Sequence, residues 1–239
     1  MIQPPIEKGV DMSTTLAFDV YGTLINTHGV IDKLETMLDS SVNASDFSQT
    51  WREKQLEYSF RRGLMRAYAP FSVCTKDALN YTAAYYSVSL SASEKSELLA
   101  SYAVLPAFDD VAATLNSLSQ KGFKLLAFSN GTEDAVVGLL KNAGIHDLFD
   151  GVVSVDDLQT FKPNPDVYHH FTQKAGSIPA QTWLVSSNPF DVIGAVSAGL
   201  KAAWVQRSKA AIFDPWGVEP TVTIDSLLKL EAALLMAPS

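Results

Sequence analysis

The stretch Thr14-Thr15-Leu16-Ala17-Phe18-Asp19-Val20-Tyr21-Gly22-Thr23 decides how this chain is read. Its apolar run is nearly continuous, without the polar alternation of a sheet that has one wet face. Such a run suits a strand covered on both faces, as in a parallel sheet. The run breaks at Tyr21-Gly22-Thr23 and leaves a carboxylate, Asp19, near its end. A charge there is costly unless donors surround it, and Gly22 with the turn after it is expected to aim backbone N–H groups at Asp19. A fixed, poorly hydrated carboxylate is a usable nucleophile. Taken alone, the pattern D-x-x-G-T describes equally well an aspartate that only satisfies a turn.

Residues 1–13, with Pro4-Pro5, read as a loose lead-in. Downstream, residues 29–105 change character. Apolar positions recur at helical spacing (Val30, Leu34, Met37, Leu38; Leu56, Phe60, Leu64; Leu98, Leu99, Tyr102) and no strand-like run intervenes. Ser45-Asp46 reads as a helix start, and Ser91 to Glu94 has capping-box spacing. After Pro106 the chain alternates regularly. Helices are expected at about 107–121, up to Asn142, 164–175, 191–198 and 225–235. Strands are expected at 123–128, 151–155, 182–185 and 202–205. Alternation of this kind gives right-handed βαβ units and a parallel sheet. The expected architecture is α/β: a doubly wound, Rossmann-like parallel-sheet core (14–28 and 106–239) with a helical cap (29–105) inserted after its first strand.

Composition narrows the function. The chain has 239 residues, enough for one large domain or one with an insert. Lys and Arg number 18 against 26 Asp and Glu, a net charge of −8, which disfavours nucleic acid and anionic membrane surfaces. The single cysteine, Cys74, excludes an internal disulfide and a cysteine-rich metal site, and reads as a small buried hydrophobe. No apolar run approaches the roughly 18 residues of a membrane span, and the N-terminus has no apolar signal region. A cytoplasmic protein is expected.

In doubly wound sheets ligands bind beyond the carboxyl ends of the strands. Those ends carry Asp19, then Ser129-Asn130, then Ser186-Ser187-Asn188 with Asp191 beyond, and Lys162 lies in the loop after the third strand. Phe18-Asp19-Val20-Tyr21-Gly22-Thr23-Leu24, Leu126-Ala127-Phe128-Ser129-Asn130-Gly131, Lys162-Pro163 and Ser186-Ser187-Asn188-Pro189-Phe190-Asp191 together resemble the four motifs of the haloacid dehalogenase superfamily, in order and spacing, over nearly the whole chain. The resemblance makes Asp19 a covalent nucleophile and assigns Ser129 and Lys162 to motifs two and three.

Two positions distinguish its branches. Superfamily phosphatases have a second Asp two residues after the nucleophile, where this chain has Tyr21, a poor acid at neutral pH. They also have an acidic residue early in motif four, where this chain has Ser186 and Ser187; Mg²⁺ prefers sites that include carboxylate. A halide leaving group needs no proton, only donors or cations to receive its charge. The segment Trp51-Arg52-Glu53-Lys54-Gln55-Leu56-Glu57-Tyr58 resembles the cap helix of the L-2-haloacid dehalogenases, with Glu53 in place of an expected Gln. That substitution puts a negative charge beside Arg52.

The resemblance implies a reaction without metal or cofactor. Asp19 displaces halide from C2 of a short L-2-haloalkanoate, such as L-2-chloropropionate or chloroacetate, and water hydrolyses the ester to a D-2-hydroxy acid. It implies that Arg52 and Asn188 receive the halide, and that Lys162 keeps Asp19 ionised and oriented. Asp191 and Ser186 would fix Lys162 or the water, and Thr23 would hydrogen-bond near Asp19. The Tyr21 backbone with Ser129 and Asn130 would hold the substrate carboxylate. Tyr21, Leu56, Phe71 and Phe190 would form an apolar wall, with Tyr168 beside the site, and two copies of the chain would pair as a homodimer through the cap helices. Several of these residues have plainer readings: Arg52 as a solvated charge among Arg61, Arg62 and Arg66, Asn188 as a helix cap, Leu56, Phe71 and Tyr168 as packing. His28, His146, His169 and His170 lack ligand-like spacing. The competing functions are a phosphatase acting on a small phosphate ester and a non-catalytic binding protein on the same scaffold.

Overall fold

A computed structural model of the chain describes residues 14–237; the lead-in over 1–13 lies outside the described residues. In chain order the elements are β1 (Thr15–Asp19), α1 (Ile31–Met37), α2 (Ala44–Leu64), α3 (Phe71–Tyr85), α4 (Ala92–Ser101), α5 (Val111–Gln120), β2 (Lys124–Ser129), α6 (Glu133–Asn142), β3 (Gly151–Ser154), α7 (Pro165–Ala175), β4 (Thr182–Ser186), α8 (Pro189–Ser197), β5 (Lys201–Val205), β6 (Val222–Ile224) and α9 (Leu230–Met236). Among the described residues no helix is long and apolar enough to cross a membrane.

The strands form one sheet in the order β3-β2-β1-β4-β5-β6, and every pairing is parallel. This is the doubly wound α/β fold expected from the sequence. β1 and β4 are buried along their whole length, which is why their sequences read as unbroken apolar runs. Alternation shows in which way the side chains point: Leu16 and Phe18 pack with α5 and α6 on one face, and Ala17 packs with Tyr168, Phe171 and Val192 on the other. The winding reverses between β1 and β4. That reversal opens a crevice beyond the ends of these two neighbouring strands, which carry Asp19 and Ser186.

The helices between β1 and β2 are anchored by α2. Phe47, Trp51, Gln55 and Ser59 recur every fourth residue and are buried against the rest of the helical segment. The Trp51 indole N–H donates to the Thr75 carbonyl at 2.9 Å, and the ring meets Tyr102 edge-on at 4.9 Å. Both contacts lock α2 against its neighbours. The parallel stripe Arg52, Leu56 and Phe60 is left facing away from that packing, and Phe60 meets Phe190 of α8 edge-on at 5.1 Å.

Four local expectations need correction. The cap of α2 is Asn43, whose side chain accepts from the Ser45 and Asp46 N–H groups, so Ser45-Asp46 lies within the first turn rather than at the cap. Leu64, placed on the apolar face by its spacing, is 87% exposed at the end of the helix. Strand β6 was not expected; three residues are too few to show a period. The Gly22 N–H, expected to face Asp19, donates instead to the Ile25 carbonyl, while Leu24 and Ile25 donate back to Val20. Gly22 has φ +86°, which closes this tight turn and which L side chains rarely adopt. The capping box of α4 forms as expected, between Ser91 and Glu94.

Candidate active site

With the Gly22 N–H engaged elsewhere, Asp19 is held by side chains. Its Oδ2 accepts from the Thr23 hydroxyl at 2.7 Å and from the Asn188 amide at 2.8 Å, and its Oδ1 accepts from the Lys162 ammonium at 3.2 Å. Three separate segments supply these donors: the turn after β1, the start of α8 and the loop after β3. Thr23 can give its single proton to Asp19 because its oxygen accepts the Ser187 N–H at 2.8 Å while the Ser187 hydroxyl is spent on the Gly22 carbonyl. Ser187 is a residue that sequence reasoning left out of the site; only its place beside Ser186 pointed to it.

Lys162 is 1% exposed, and a buried ammonium must be compensated. It donates to Asp19, to Asp191 Oδ2 at 2.9 Å and to the Phe128 carbonyl at 2.9 Å, and it lies 4.0 Å from the centre of the Phe128 ring. All three of its protons are thereby placed. The loop that carries it is pinned by the Lys162 N–H donating to Asn130 Oδ1 at 2.9 Å, and the Lys162–Pro163 peptide is cis. Asp191 has no exposed surface. Burial pushes its carboxyl above the ordinary range; Lys162 opposes the shift and the nearby Asp19 charge adds to it. Tyr168, also fully buried, donates from its hydroxyl to Asp191 Oδ1 at 2.8 Å, and burial followed by the Asp191 charge drives its own ionisation well above the usual value. Tyr168 thus meets the cluster through Asp191.

The remaining candidate residues have definite places. Ser186 accepts the Asn188 N–H and Ser129 accepts the Gly131 N–H, each at 3.1 Å, so both hydroxyls fix the turns beyond their strands. Asn188 stands at the head of α8 without a side-chain cap bond; its amide goes to Asp19 and to the Tyr21 carbonyl at 3.3 Å. Arg52 reaches the same carbonyl at 3.4 Å and also donates to Gln55 Oε1 at 3.3 Å. Arg52 and Asn188 therefore converge on one point in the turn after Asp19. Gln55, buried one turn along α2, is a second residue missed from sequence; a polar residue on a buried stripe was its signal. Glu53 turns to solvent, where Gln49 donates to it at 2.9 Å. Neighbouring helix positions face apart, so its charge does not front the crevice as its proximity in sequence implied.

The aromatic walls are in two places. Tyr21 stacks on Phe71 with centroids 6.4 Å apart, and both line a cavity of about 440 Å³ that also touches Tyr102 and Gly131. Burial raises the Tyr21 phenol to about 12, so it stays protonated at neutral pH. Phe190 and Phe60 line a second cavity of about 490 Å³ on the Lys162 side. Leu56, half-buried, lies one turn beyond Arg52 on the same stripe. Cys74 is buried and free. Among the described residues no three His, Cys, Asp or Glu side chains gather in a metal-like group. Between Asp19 at the end of β1 and Asp191 in the first turn of α8 stands the Lys162 ammonium.

A buried carboxylate with three side-chain donors thus stands at the switch point of a doubly wound sheet, and comparison with known proteins names the family. Residues 14–199 match the model of the haloacid dehalogenase-like hydrolases, and the chain belongs to that family. The (S)-2-haloacid dehalogenase of Pseudomonas sp. (strain YL) is 34% identical over 91% of this chain and 93% of its own. That of Xanthobacter autotrophicus is 38% identical over 82% and 76%. A solved structure of the L-2-haloacid dehalogenase from Xanthobacter autotrophicus, with chloropropionic acid covalently bound, matches with a TM-score of 0.84 at 32% identity, covering 92% of this chain and 98% of that one.

Proposed function

We propose that this chain is a hydrolytic (S)-2-haloacid dehalogenase that converts short L-2-haloalkanoates, such as chloroacetate and L-2-chloropropionate, to 2-hydroxy acids, with D configuration where C2 is chiral. The observation that carries this reading is the unequal solvation of the two Asp19 oxygens. Among the described residues, Oδ2 accepts two short hydrogen bonds, whereas Oδ1 has only the longer contact with Lys162. Oδ1 is the freer nucleophile. It attacks C2 from behind the carbon–halogen bond, the C–X electron pair leaves with the halide, and C2 is inverted. Arg52 and Asn188, which meet at the Tyr21 carbonyl, receive the halide. Ser129, Asn130 and the Tyr21 backbone hold the substrate carboxylate, and Tyr21, Phe71, Leu56 and Phe190 keep water from the displacement.

The ester leaves Oδ2 as its carbonyl oxygen. Water adds to the Asp19 carboxyl carbon, and the negative charge that develops on Oδ2 meets the donors already there, Thr23 and Asn188. Collapse releases the hydroxy acid and restores the Asp19 carboxylate. One proton of the water ends on the product hydroxyl and the other is released. Lys162 holds Asp19 in place between turnovers, and Asp191, braced by Tyr168, keeps Lys162 there.

The reaction runs without metal or cofactor: a cation bridging Asp19 and Asp191 would have to displace the Lys162 ammonium. We assign residues 14–28 and 106–239 to the core domain and 29–105 to a cap over the crevice. The enzyme works in the cytoplasm as a homodimer paired through cap helices, without nucleic-acid or membrane partners. The test is halide release from L-2-chloropropionate and chloroacetate in the presence of EDTA. Stoichiometric halide and D-lactate from the former are expected. Phosphate release from phosphate esters that depends on Mg²⁺, with no halide release, would overturn the reading.

A further inference from the structure

Arg207 follows β5, far from the four motif segments, yet it reaches the nucleophile turn. Its Nε and Nη2 both donate to the Thr23 carbonyl, at 3.2 and 2.6 Å. On the other side Nη1 donates to both oxygens of Asp110 at 2.8 Å, and the guanidinium lies 4.1 Å from the centre of the Phe108 ring. Asp110 is fixed in turn by the Leu227 N–H at 2.8 Å and the Ser226 hydroxyl at 2.9 Å. Both charged side chains are largely enclosed, with 15% and 14% of their surface exposed. A planar guanidinium fork with every partner fixed is rigid in a way that a lysine is not.

Thr23 is gripped at both ends. Its carbonyl is held by Arg207, and its hydroxyl donates to Asp19 Oδ2 at 2.7 Å. Within itself the turn is closed by the Gly22 N–H to Ile25 and the Leu24 and Ile25 N–H groups to Val20, while Ser187, Asn188 and the Phe108 N–H hold the Gly22, Tyr21 and Leu24 carbonyls and Arg207 holds that of Thr23. We propose that Arg207 and Asp110 are a positioning pair for the dehalogenation reaction: they set the Thr23 backbone so that its hydroxyl stays aimed at the oxygen that carries negative charge during ester hydrolysis. The proposal rests on the function assigned above. Arg207 touches no reacting atom and acts through Thr23. A misplacement of about 1 Å at a reacting group can cost on the order of a hundredfold in rate, so a fork that holds one backbone carbonyl has catalytic consequence.

The test combines kinetics with hydrogen exchange. Arg207→Lys is expected to lower kcat for L-2-chloropropionate roughly tenfold with KM falling in proportion and kcat/KM little changed, because only the step after halide loss is slowed, and to speed amide exchange in the segment 20–25. Asp110→Asn, which keeps the arginine, should do the same more weakly. In a Thr23→Val background Arg207→Lys should cost less than about twofold more, because two substitutions acting through one contact are not additive. Equal losses in both backgrounds, or unchanged exchange in segment 20–25, would overturn the positioning role. Faster exchange in the variant of a protein that releases no halide would leave the pair standing and remove the reaction assigned to it.

Discussion

Lys162 Nζ lies nearer to Asp191, at 2.9 Å, than to Asp19, at 3.2 Å. The ammonium is thus anchored on Asp191 and extended toward Asp19, the proposed nucleophile. Lys162→Met would leave two buried carboxylates without the ammonium that bridges them, and each would then disfavour the charge of the other. Halide release is expected to fall by at least about 10²-fold. Stability should drop by about 3–5 kcal/mol, the usual result of removing one partner of a buried pair. Steady-state kinetics and urea unfolding of the same preparation check both, and a variant of native stability would mean that the two carboxylates are not coupled through Lys162.

Thr23 and Asn188 share the oxygen Asp19 Oδ2, but only Asn188 also reaches the Tyr21 carbonyl where Arg52 converges. Thr23 should therefore matter to hydrolysis more than to displacement. Thr23→Val is expected to release about one halide per active site quickly and then turn over roughly 10²-fold more slowly, with the ester visible by mass spectrometry on the peptide containing Asp19. A single turnover of the wild type in ¹⁸O-water should put the label into Asp19. Label found in the product instead would mean direct attack of water on the substrate.

Gly194 has a packing duty that bears on the same cluster. A Cβ there would fall 2.7 Å from Pro163 Cβ and 2.8 Å from Tyr168 Cε2. These are the residue after Lys162 and the brace of Asp191. Gly194→Ala should cost about 1–3 kcal/mol through overpacking and lower kcat by disturbing Lys162, with little change in KM. Thermal unfolding and kinetics check it; a variant more stable than the wild type would show that the α7–α8 contact has room to give.

Glu53 offers a control. It accepts from Gln49 on the solvent side of α2 rather than facing the crevice, and exposed charges are screened over about 8–10 Å at physiological salt. Glu53→Gln should leave KM for L-2-chloropropionate within about threefold of the wild type at that salt. A larger drop in KM, abolished by added salt, would show that the charge reaches the substrate after all.

The sheet was legible because parallel strands are buried on both faces, so β1, β2 and β4 announce themselves as apolar runs ending in polar turns. The convergence of Asp19, Lys162, Asn188 and Asp191 followed from the switch-point geometry together with the motif resemblance. What escaped were features without a local pattern. β6 is three residues long, and its place is set by pairing with β5. The direction of the Gly22 N–H depends on turn closure, which residue identity alone leaves open. The bond between Arg207 and Thr23 joins positions 184 residues apart, and nothing near Arg207 in sequence marks it as other than a surface charge.

Asp110 makes that last connection visible in pH dependence. Burial pushes its carboxyl up, but the Arg207 guanidinium and the Leu227 N–H outweigh it and hold the group below its ordinary value of 3.8. A carboxyl depressed on folding binds fewer protons folded than unfolded just below that value. Its contribution to stability is therefore fully present above 3.8 and lost as pH falls through the folded-state value. The difference in unfolding free energy between wild type and Asp110→Asn should be constant from about pH 5 upward and shrink toward about pH 2. Urea unfolding of both proteins across that range measures it. A gap that widens as the pH falls would mean that Asp110 is protonated more readily in the folded protein, and that Arg207 does not hold it.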